Sequence, residues 1–420
     1  MDIELLTIGN ELLLGFTVDT NGAELARSLG EIGVRVVRRT SVGDRPEEIG
    51  AGVRAALERT GAVITTGGLG PTRDDVTKAV VAELFGMPIE FRPELWEALL
   101  ERYRKVAGRV PTESNRSQAE VPRGATLLPS RWGSAPGLWL EGPVAGTEPR
   151  MTGLAILLPG VPREMRMLLQ HEVVPRLAER GGGRVTRSRT IRTAGIPESV
   201  LAERIGAVEE EIVPLTLAYL PSTTGVDLRV TAWDLEPAEA ERLLEAAAQL
   251  LESRTGTGRY GRDDADLAEV VLTRAGAAGL TLATAESCTG GMVGARITAV
   301  PGSSESYVGG VVAYDNRIKR ELLRVPAEML ESHGAVSEPV AVAMAEGARQ
   351  HLGADVAVAV TGIAGPDGGT EEKPVGTVWL AVAGPRGSSA RKLRLFGNRE
   401  EVRVRATEAA LLDLLQALPG

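Results

Sequence analysis

The sequence predicts an α/β protein of three consecutive blocks: an α/β block over residues 1–175, a small α+β block over 176–258 and a second α/β block over 259–420. Three observations predict it. The chain has 420 residues, room for two to three domains at about 150 residues each. Short β-rich runs alternate with amphipathic stretches in both outer blocks, the rhythm of a parallel sheet with crossover helices. The glycine run 181–183 and the glycine- and charge-rich stretch 254–264, which has no periodic apolar residues, break that rhythm and mark boundaries.

In the first block IELLTIG reads as a strand, Ala23–Ile32 as a helix, VRVVRRT as a strand, Ile49–Arg59 as a helix and AVITTGG as a strand, followed by a helix carrying Val76, Val80, Val81 and Leu84. In the middle block TIRTAGI precedes a helical stretch, and VDLRVTAW alternates as a strand before a helix over Pro237–Glu252. The last block reads helix (Leu267–Ala278), strand (Leu280–Ala285), helix from about Gly290 and strand (Tyr307–Ala313). A helix (Pro339–His351), strands at Val356–Thr361 and Val375–Val382, and a terminal helix complete it.

Composition excludes several classes. Hydrophobic residues are 43% and charged ones 25%, ordinary globular usage that fits neither wholesale disorder nor a fibre. A net charge of −9, with no apolar run near the roughly 18 residues of a membrane span, argues against membrane insertion and against non-specific nucleic-acid binding. The acidic second residue and short apolar stretch of MDIELLTIGNELL lack the pattern of a secretory leader, so a cytoplasmic location is expected. One cysteine, Cys288, and three histidines offer neither an internal disulfide nor a Cys/His zinc site. Lysine occurs only at 78, 105, 319, 373 and 392 against 47 basic residues in all. Arginine stays charged in a protein, whereas a desolvated lysine becomes a neutral base, so lysines kept in this background are functional candidates, Lys319 first.

The first candidate site follows the strand Ala62–Thr66, which runs into GGLGPTRDDVTK. Ligands of open parallel sheets bind at such strand ends. Gly67, Gly68 and Gly70 would leave amides open to an anion, Thr72 would cap the next helix, and Asp74 and Asp75 suit a hard divalent cation. The plain alternative is a turn followed by ordinary acidic residues at a helix start. IGNELLLG, with Gly9 and Asn10, leaves a second strand end and is followed by Asp19-Thr20-Asn21, so one crevice between neighbouring strands is expected.

GNELLLG, TTGGLGPTRDD, NRSQAEVP, SAPG and LPGVPREM resemble the molybdopterin-binding-like domain found in molybdenum-cofactor proteins and at the amino terminus of CinA proteins. The resemblance implies a dimer- or trimer-prone fold holding a phosphorylated ligand. In CinA proteins it implies hydrolysis of the ADP-ribose pyrophosphate bond with Mg, Mn or Co, Asp74, Asp75, Glu11 and Lys78 standing at matching positions. EGPVAGTEPRMTG, residues 141–153, departs from the pattern as an inserted hairpin.

The second candidate site lies in ATAESCTGGMVGARI, where a strand ends at Glu286-Ser287 and the pair Gly290-Gly291 opens a helix. Ser287 on such an elbow exposes its hydroxyl, and amides of the following turn would stabilise an oxyanion. A helix cap is the plain alternative. Ser304, Tyr314 and Lys319 follow, and a buried lysine deprotonates a serine without histidine. Ser287 is preferred as nucleophile, with Ser304 and Tyr314 holding the lysine, although exchanging the two serines contradicts nothing. Cys288 has no base beside it and reads as a packed thiol. Thr361 and Gly362 would edge the pocket from the long loop 361–379, where Lys373 reads as solvated. Arg399 and Arg403, one helical turn apart, would put two forks on one phosphate, unless they pair with Glu400 and Glu401 on a surface helix.

TAESCTGG, PGSSESYVGGVVAYDNRIK, HGAVSEPV, TGIAGPDGGTEEKPVGTVW and the FGNREEVR ending resemble the nicotinamide-nucleotide amidase domain of CinA over about residues 264–415. The resemblance implies hydrolysis of nicotinamide mononucleotide to nicotinate mononucleotide and ammonia with no cofactor. Ser287, Ser304, Tyr314, Lys319, Thr361 and Arg399 stand at positions matching that family's active site. The middle block is similar to the KH-type fold of CinA, but it lacks a GXXG loop with basic flanks, which argues against RNA. It is expected to be a connector in a homodimer. A non-catalytic binder of a phosphorylated, molybdopterin-like ligand, or a competence-related interaction protein, is the alternative.

Overall fold

The computed structural model describes residues 1–108, 110–129, 133, 135–146, 151–180 and 182–419, the side chains of Val106 and Ala107 excepted. Ser134 of the SAPG motif, Gly181 of the glycine run and residues 147–150 of the expected hairpin lie outside that set. The chain forms two compact units, Met1–Arg187 with Ala232–Glu241, and Ser188–Thr231 with Arg242–Gly420.

The first unit holds strands β1 (Asp2–Ile8), β2 (Arg35–Val42), β3 (Ala62–Thr66), β4 (Ile89–Phe91), β5 (Glu120–Pro122), β6 (Thr126–Leu128), β7 (Gly137–Pro143) and β8 (Thr152–Leu158). Six form one sheet in the order β2-β1-β3-β8-β7-β6. Its first four strands are parallel, as the βα rhythm predicts, while β7 and β6 run antiparallel. Period-two alternation makes the layers: Ile3 and Leu5 of β1 face one core with Leu25 and Leu29, and Leu6 and Ile8 face another with Ile49 and Val53. The helices behind these cores are α2 (Thr20–Glu31) and α3 (Pro46–Thr60). A short helix, α1 (Asn10–Leu13), leaves β1, and α4 (Thr77–Leu84) follows β3. The connection from β7 to β8 is the expected hairpin, Gly142 pairing with Gly153 and Pro143 with Thr152.

In the middle block β9 (Val185–Thr193), β10 (Thr216–Pro221), β11 (Val226–Leu235) and β12 (Arg259–Arg262) order as β10-β11-β9-β12, and helix α5 (Pro237–Thr255) follows β11. The stretch 254–264 is thus more than the boundary segment expected from its glycines. Arg259 pairs with Thr193, Gly261 with Arg192 and Arg262 with Ile191 as an edge strand, with a bulge at Tyr260.

The last block has a five-stranded sheet in the order β14-β13-β15-β16-β17, from β13 (Leu282–Glu286), β14 (Tyr307–Val312), β15 (Val356–Gly362), β16 (Thr377–Gly384) and β17 (Gly387–Arg394). β14, β13 and β15 are parallel and the last two antiparallel. Val356, Val358 and Val360 face a core with α6 (Leu267–Ala277) and α10 (Arg399–Ala417). Ala357 and Ala359 face the other core with α9 (Glu338–Leu352). Two more helices matter below: α7 (Met292–Thr298) and α8 (Asn316–Glu321). Strand order reverses at β13, with β14 on one side and β15 on the other. That is where an open α/β sheet makes a crevice at its strand ends. Among the described residues no helix is long and apolar enough to cross a membrane.

Candidate functional site

A cavity of about 200 Å³ opens at the carboxyl ends of β13, β14 and β15. Ser287, Tyr314, Asn316, Lys319, Thr361 and Arg399 line it, with Ala335 and Val336 along one wall and Gly362 and Ala364 along another. Ser287 arrives by the strand alternation, while Asn316 and Lys319 come from α8 and Arg399 from the start of α10. Ala283 and Ala285 of β13 face the α9 side of the sheet, so Ser287, two residues further, turns to that side, and its amide donates to Val360 O at 2.9 Å.

Lys319 is 1% exposed, and its ammonium nitrogen lies 3.2 Å from Ser287 Oγ, 2.8 Å from Ala313 O and 3.3 Å from Tyr314 O. Burial pushes its pKa down from 10.5, against a smaller upward pull from Asp315. A neutral amine has two N–H donors and one lone pair. Two of the three neighbours are carbonyls, which only accept, so the N–H groups go to Ala313 O and Tyr314 O and the lone pair faces the one neighbour able to donate, the Ser287 hydroxyl. The arrangement is that of a serine with a built-in general base.

The geometry corrects several sequence-based expectations. Ser304 is exposed on a 3-10 turn, Ser303–Glu305, and is not among the partners of Lys319. Tyr314 holds the lysine by its backbone carbonyl. Its side chain reaches the rim, where its hydroxyl accepts from Arg399 Nη2 at 3.1 Å. Arg399 also donates to Gly365 O at 2.7 Å, so it stands at the mouth as one fork. Arg403 does not join it. Its Nε and Nη2 donate to Cys288 O and Thr289 O, at 3.2 and 2.9 Å. Gly290, at φ +62, shapes the turn instead of lining the cavity, and its amide donates to Ser287 O at 3.1 Å. Of the amides after Ser287, where oxyanion donors are expected, those of Gly291, Val293 and Gly294 are taken by the Glu286 carboxylate. Lys373 donates to His333 O at 2.9 Å instead of pointing into solvent, tying the long loop to the wall that carries Ala335. Thr361 donates to Ala335 O at 2.8 Å from the other side of that wall. The Cys288 thiol is buried and pushed up to about 11, which keeps it protonated and inert.

Sequence reasoning left out Glu286, Asn316 and the Ala335-Val336 wall. Glu286 had a readable signal, a carboxylate at the last position of an otherwise apolar strand directly before the serine. The wall is apolar and carries no signal of its own.

In the first unit the strand ends of β1 and β3 lie side by side, Thr7 pairing with Thr66. Gly67, at φ +111, packs so close to Ile8 O that a Cβ would lie 2.2 Å from it. The Gly67 amide donates to Leu158 O at 3.1 Å and so is not open to an anion. Gly68, at φ +67, abuts the Thr77 side chain, and Gly70 packs against the Asp75 carboxylate. Thr72 caps no helix, because α4 starts five residues later at Thr77 with Val76 as its N-cap. Its hydroxyl donates to both Asp74 and Asp75, and its amide donates to Asp75 Oδ2 at 2.8 Å. The positive end of α4 therefore lies beyond the glycines. The Thr72 bond holds Asp74 below the usual carboxylate range. Asn21 is buried at the crevice floor, its Nδ2 donating to Thr66 Oγ1 at 3.0 Å and Gly160 O at 2.8 Å, and its Oδ1 has no protein partner. The Asn10 amide donates to Asp44 Oδ2 at 3.0 Å, and Glu11 is exposed beside it on α1.

Among the described residues no three His, Cys, Asp or Glu side chains gather as a metal cage. Two carboxylates joined through one hydroxyl, on an exposed loop, still fit a cation such as Mg, which takes one or two carboxylates and completes its shell with water and substrate phosphate.

Lys78 lines a small cavity with Gln118 and Glu120, donating to Ser117 O and feeling the Asp75 charge. Burial lowers its pKa from 10.5 to about 8. The charged form is thus disfavoured by folding, a penalty present in full below pH 8 and gone above 10.5. Lys78→Met is expected to raise unfolding stability at pH 7 by about 2 kcal/mol, about 3 from the pKa difference less about 1 for the lost hydrogen bond. Urea unfolding at pH 7 and pH 10 checks it, since the gain should shrink at the higher pH.

The folds and the pocket define an α/β protein with a strand-end crevice in its first unit and a serine–lysine pocket in its second. Three family models match it: "Probable molybdopterin binding domain" over residues 4–179, "Damage-inducible protein CinA KH domain" over 188–261 and "CinA C-terminal domain" over 264–418. A CinA-like protein of Gemmatimonas aurantiaca is 52% identical over 99% of this chain and 96% of its own length. One of Parasynechococcus marenigrum is 47% identical, over 94% and 93%. A solved structure of the competence/damage inducible protein CihA from Agrobacterium tumefaciens is 43% identical over 36% of this chain and 92% of that one, at a TM-score of 0.35. The chain belongs to the CinA family.

Proposed function

We propose that the second unit hydrolyses the carboxamide of nicotinamide mononucleotide to nicotinate mononucleotide and ammonia. The observation that carries this reading is the Lys319 nitrogen, buried between two carbonyls with its third neighbour the Ser287 hydroxyl at 3.2 Å. Lys319 takes the Ser287 proton as Oγ attacks the carboxamide carbon, and the new ammonium returns it to the departing nitrogen, which leaves as ammonia. Water, deprotonated by the same amine, then cleaves the acyl-enzyme and restores Ser287. The Cys288 amide, next after the nucleophile, would be the oxyanion donor. Arg399 and Asn316 at the mouth face the substrate phosphate. At about 200 Å³ the cavity is smaller than the roughly 300 Å³ at which drug-sized ligand sites begin, so it takes the pyridine end and leaves the phosphate at the rim.

The working form of Lys319 is the free amine, and burial moves its pKa downward. The turnover number is therefore expected to rise with pH along a single limb whose midpoint lies below 10.5, read as ammonia release between pH 6 and 11. A limb that falls across that range would remove the lysine-base step.

A second reading concerns the first unit. The paired carboxylates of Asp74 and Asp75, with the unpartnered Asn21 Oδ1 at the crevice floor, support metal-dependent hydrolysis of the ADP-ribose pyrophosphate. When bound, the cation offsets phosphate charge and supplies an acidified water. Asp74 and Asp75 would hold it, and Asn21 would orient the ligand. Chelation with EDTA is expected to abolish AMP release from ADP-ribose, and Mg, Mn or Co to restore it. Activity unaffected by the chelator would remove the metal role. If neither activity appears, a binder of a phosphorylated ligand is what remains.

A further inference from the structure

Ser287 is followed by a turn that two charged side chains grip from different partners, and neither of them touches the reacting atoms. Glu286 is 2% exposed. Its Oε2 accepts from the Gly291 and Val293 amides at 2.9 and 3.0 Å, and its Oε1 accepts from Gly294 at 2.9 Å. Among the described residues it has no ion-pair partner. A carboxylate without a cation in such a place is costly to bury unless hydrogen bonds replace its water. A serine or threonine cap would satisfy one of these amides with no charge to desolvate. The full charge therefore serves a purpose beyond capping a helix of seven residues.

That purpose is legible in the chain path. Gly290 and Gly291, at φ +62 and +96, turn the backbone back on itself, so that amides five, seven and eight residues ahead reach the side chain of the residue before the serine. Glu286 thus holds the turn at its start through the covalent chain and at its end through three hydrogen bonds. Between those ends Arg403 grips the carbonyls of Cys288 and Thr289. Amides go to the anion and carbonyls to the cation. Ser287 Oγ is held 3.2 Å from Lys319 Nζ by a frame that leaves both atoms free to react.

We propose that Glu286 and Arg403 are positioning residues for the reaction at Ser287, fixing the serine turn against Lys319. The proposal rests on the amidase reading of the pocket. A misplacement of about 1 Å costs about 100-fold in rate, so Glu286→Ala is expected to lower kcat by about 30- to 100-fold, with KM within about twofold of the parent. The pH midpoint of kcat should stay where Lys319 sets it. Glu286→Gln keeps one oxygen for Gly291 and Val293 but turns an NH2 toward the Gly294 amide, so about a 10-fold loss is expected, a partial rescue by the nearer analogue. Arg403→Ala should lower kcat about as much as Glu286→Gln, and Arg403→Lys should recover part of it.

Each variant is measured in the full chain, with its melting temperature. Labelling of Ser287 by a fluorophosphonate probe, followed by intact mass, gives a second rate that needs no amide substrate. Absence of ammonia release in the parent would sink the amidase reading, while the labelling rates still decide the positioning roles. Labelling slowed in the order parent, Glu286→Gln, Glu286→Ala supports the proposal. Folded Glu286→Gln and Arg403→Ala chains that label and turn over at the parental rate overturn it, as does a change confined to KM. Where Glu286→Ala does not fold, Glu286→Gln carries the test.

Discussion

Replacing Lys319 by arginine is expected to lower kcat by at least about 10³-fold, the scale on which a positioned general base contributes, while substrate still binds. The side chain is fully buried and donates to two carbonyls as well as facing the serine. Arginine keeps a positive charge and several donors, so it preserves the electrostatic sign and removes only the ability to give up a proton. The loss should appear in kcat, with the Kd for nicotinamide mononucleotide by calorimetry changed no more than a few-fold. Lys319→Met, which keeps the apolar stem and the volume, should fall as far. Near-parental turnover in either variant would mean that another group takes the serine proton.

The second large effect separates the two serines. Ser287→Ala is expected to reduce turnover by about 10⁴-fold or more, the cost of losing a nucleophile that acts as a unit with its base. Ser304→Ala, an exposed change on a 3-10 turn, should stay within about twofold. Steady-state ammonia release by both variants checks the pair. The opposite pattern would transfer the nucleophile to Ser304 and require that turn to move onto Lys319.

How much of this was readable beforehand follows from which forces act locally. Strand alternation and helix periodicity placed β13, β15 and α9 within a residue or three, because a buried face imposes its period on neighbouring residues. The edge strands β12 and β17 were not read, since an edge needs little burial and their sequences, RYGR and GSSARKLR, are polar. In the site, Ser287, Lys319, Thr361, Gly362, Tyr314 and Arg399 all line one cavity. Their roles were less legible than their presence. Tyr314 acts on Lys319 through its carbonyl, which any residue at that position supplies. Arg403 lies one turn from Arg399 on α10, yet it faces the serine turn, because helical spacing fixes the side of a helix and not what stands opposite. Thr72 was read as a cap from its place before an apolar run, whereas the two aspartates that follow compete for its hydroxyl and delay the helix to Thr77.

We have proposed that Lys319, buried against Ser287, makes the second unit an amidase. The deciding measurement is ammonia release from nicotinamide mononucleotide by the purified chain, beside the same chain carrying Lys319→Ala. Release by the parent and none by the folded variant is expected. Equal release by both would contradict the role of the lysine, and no release by a folded parent would contradict the amidase itself.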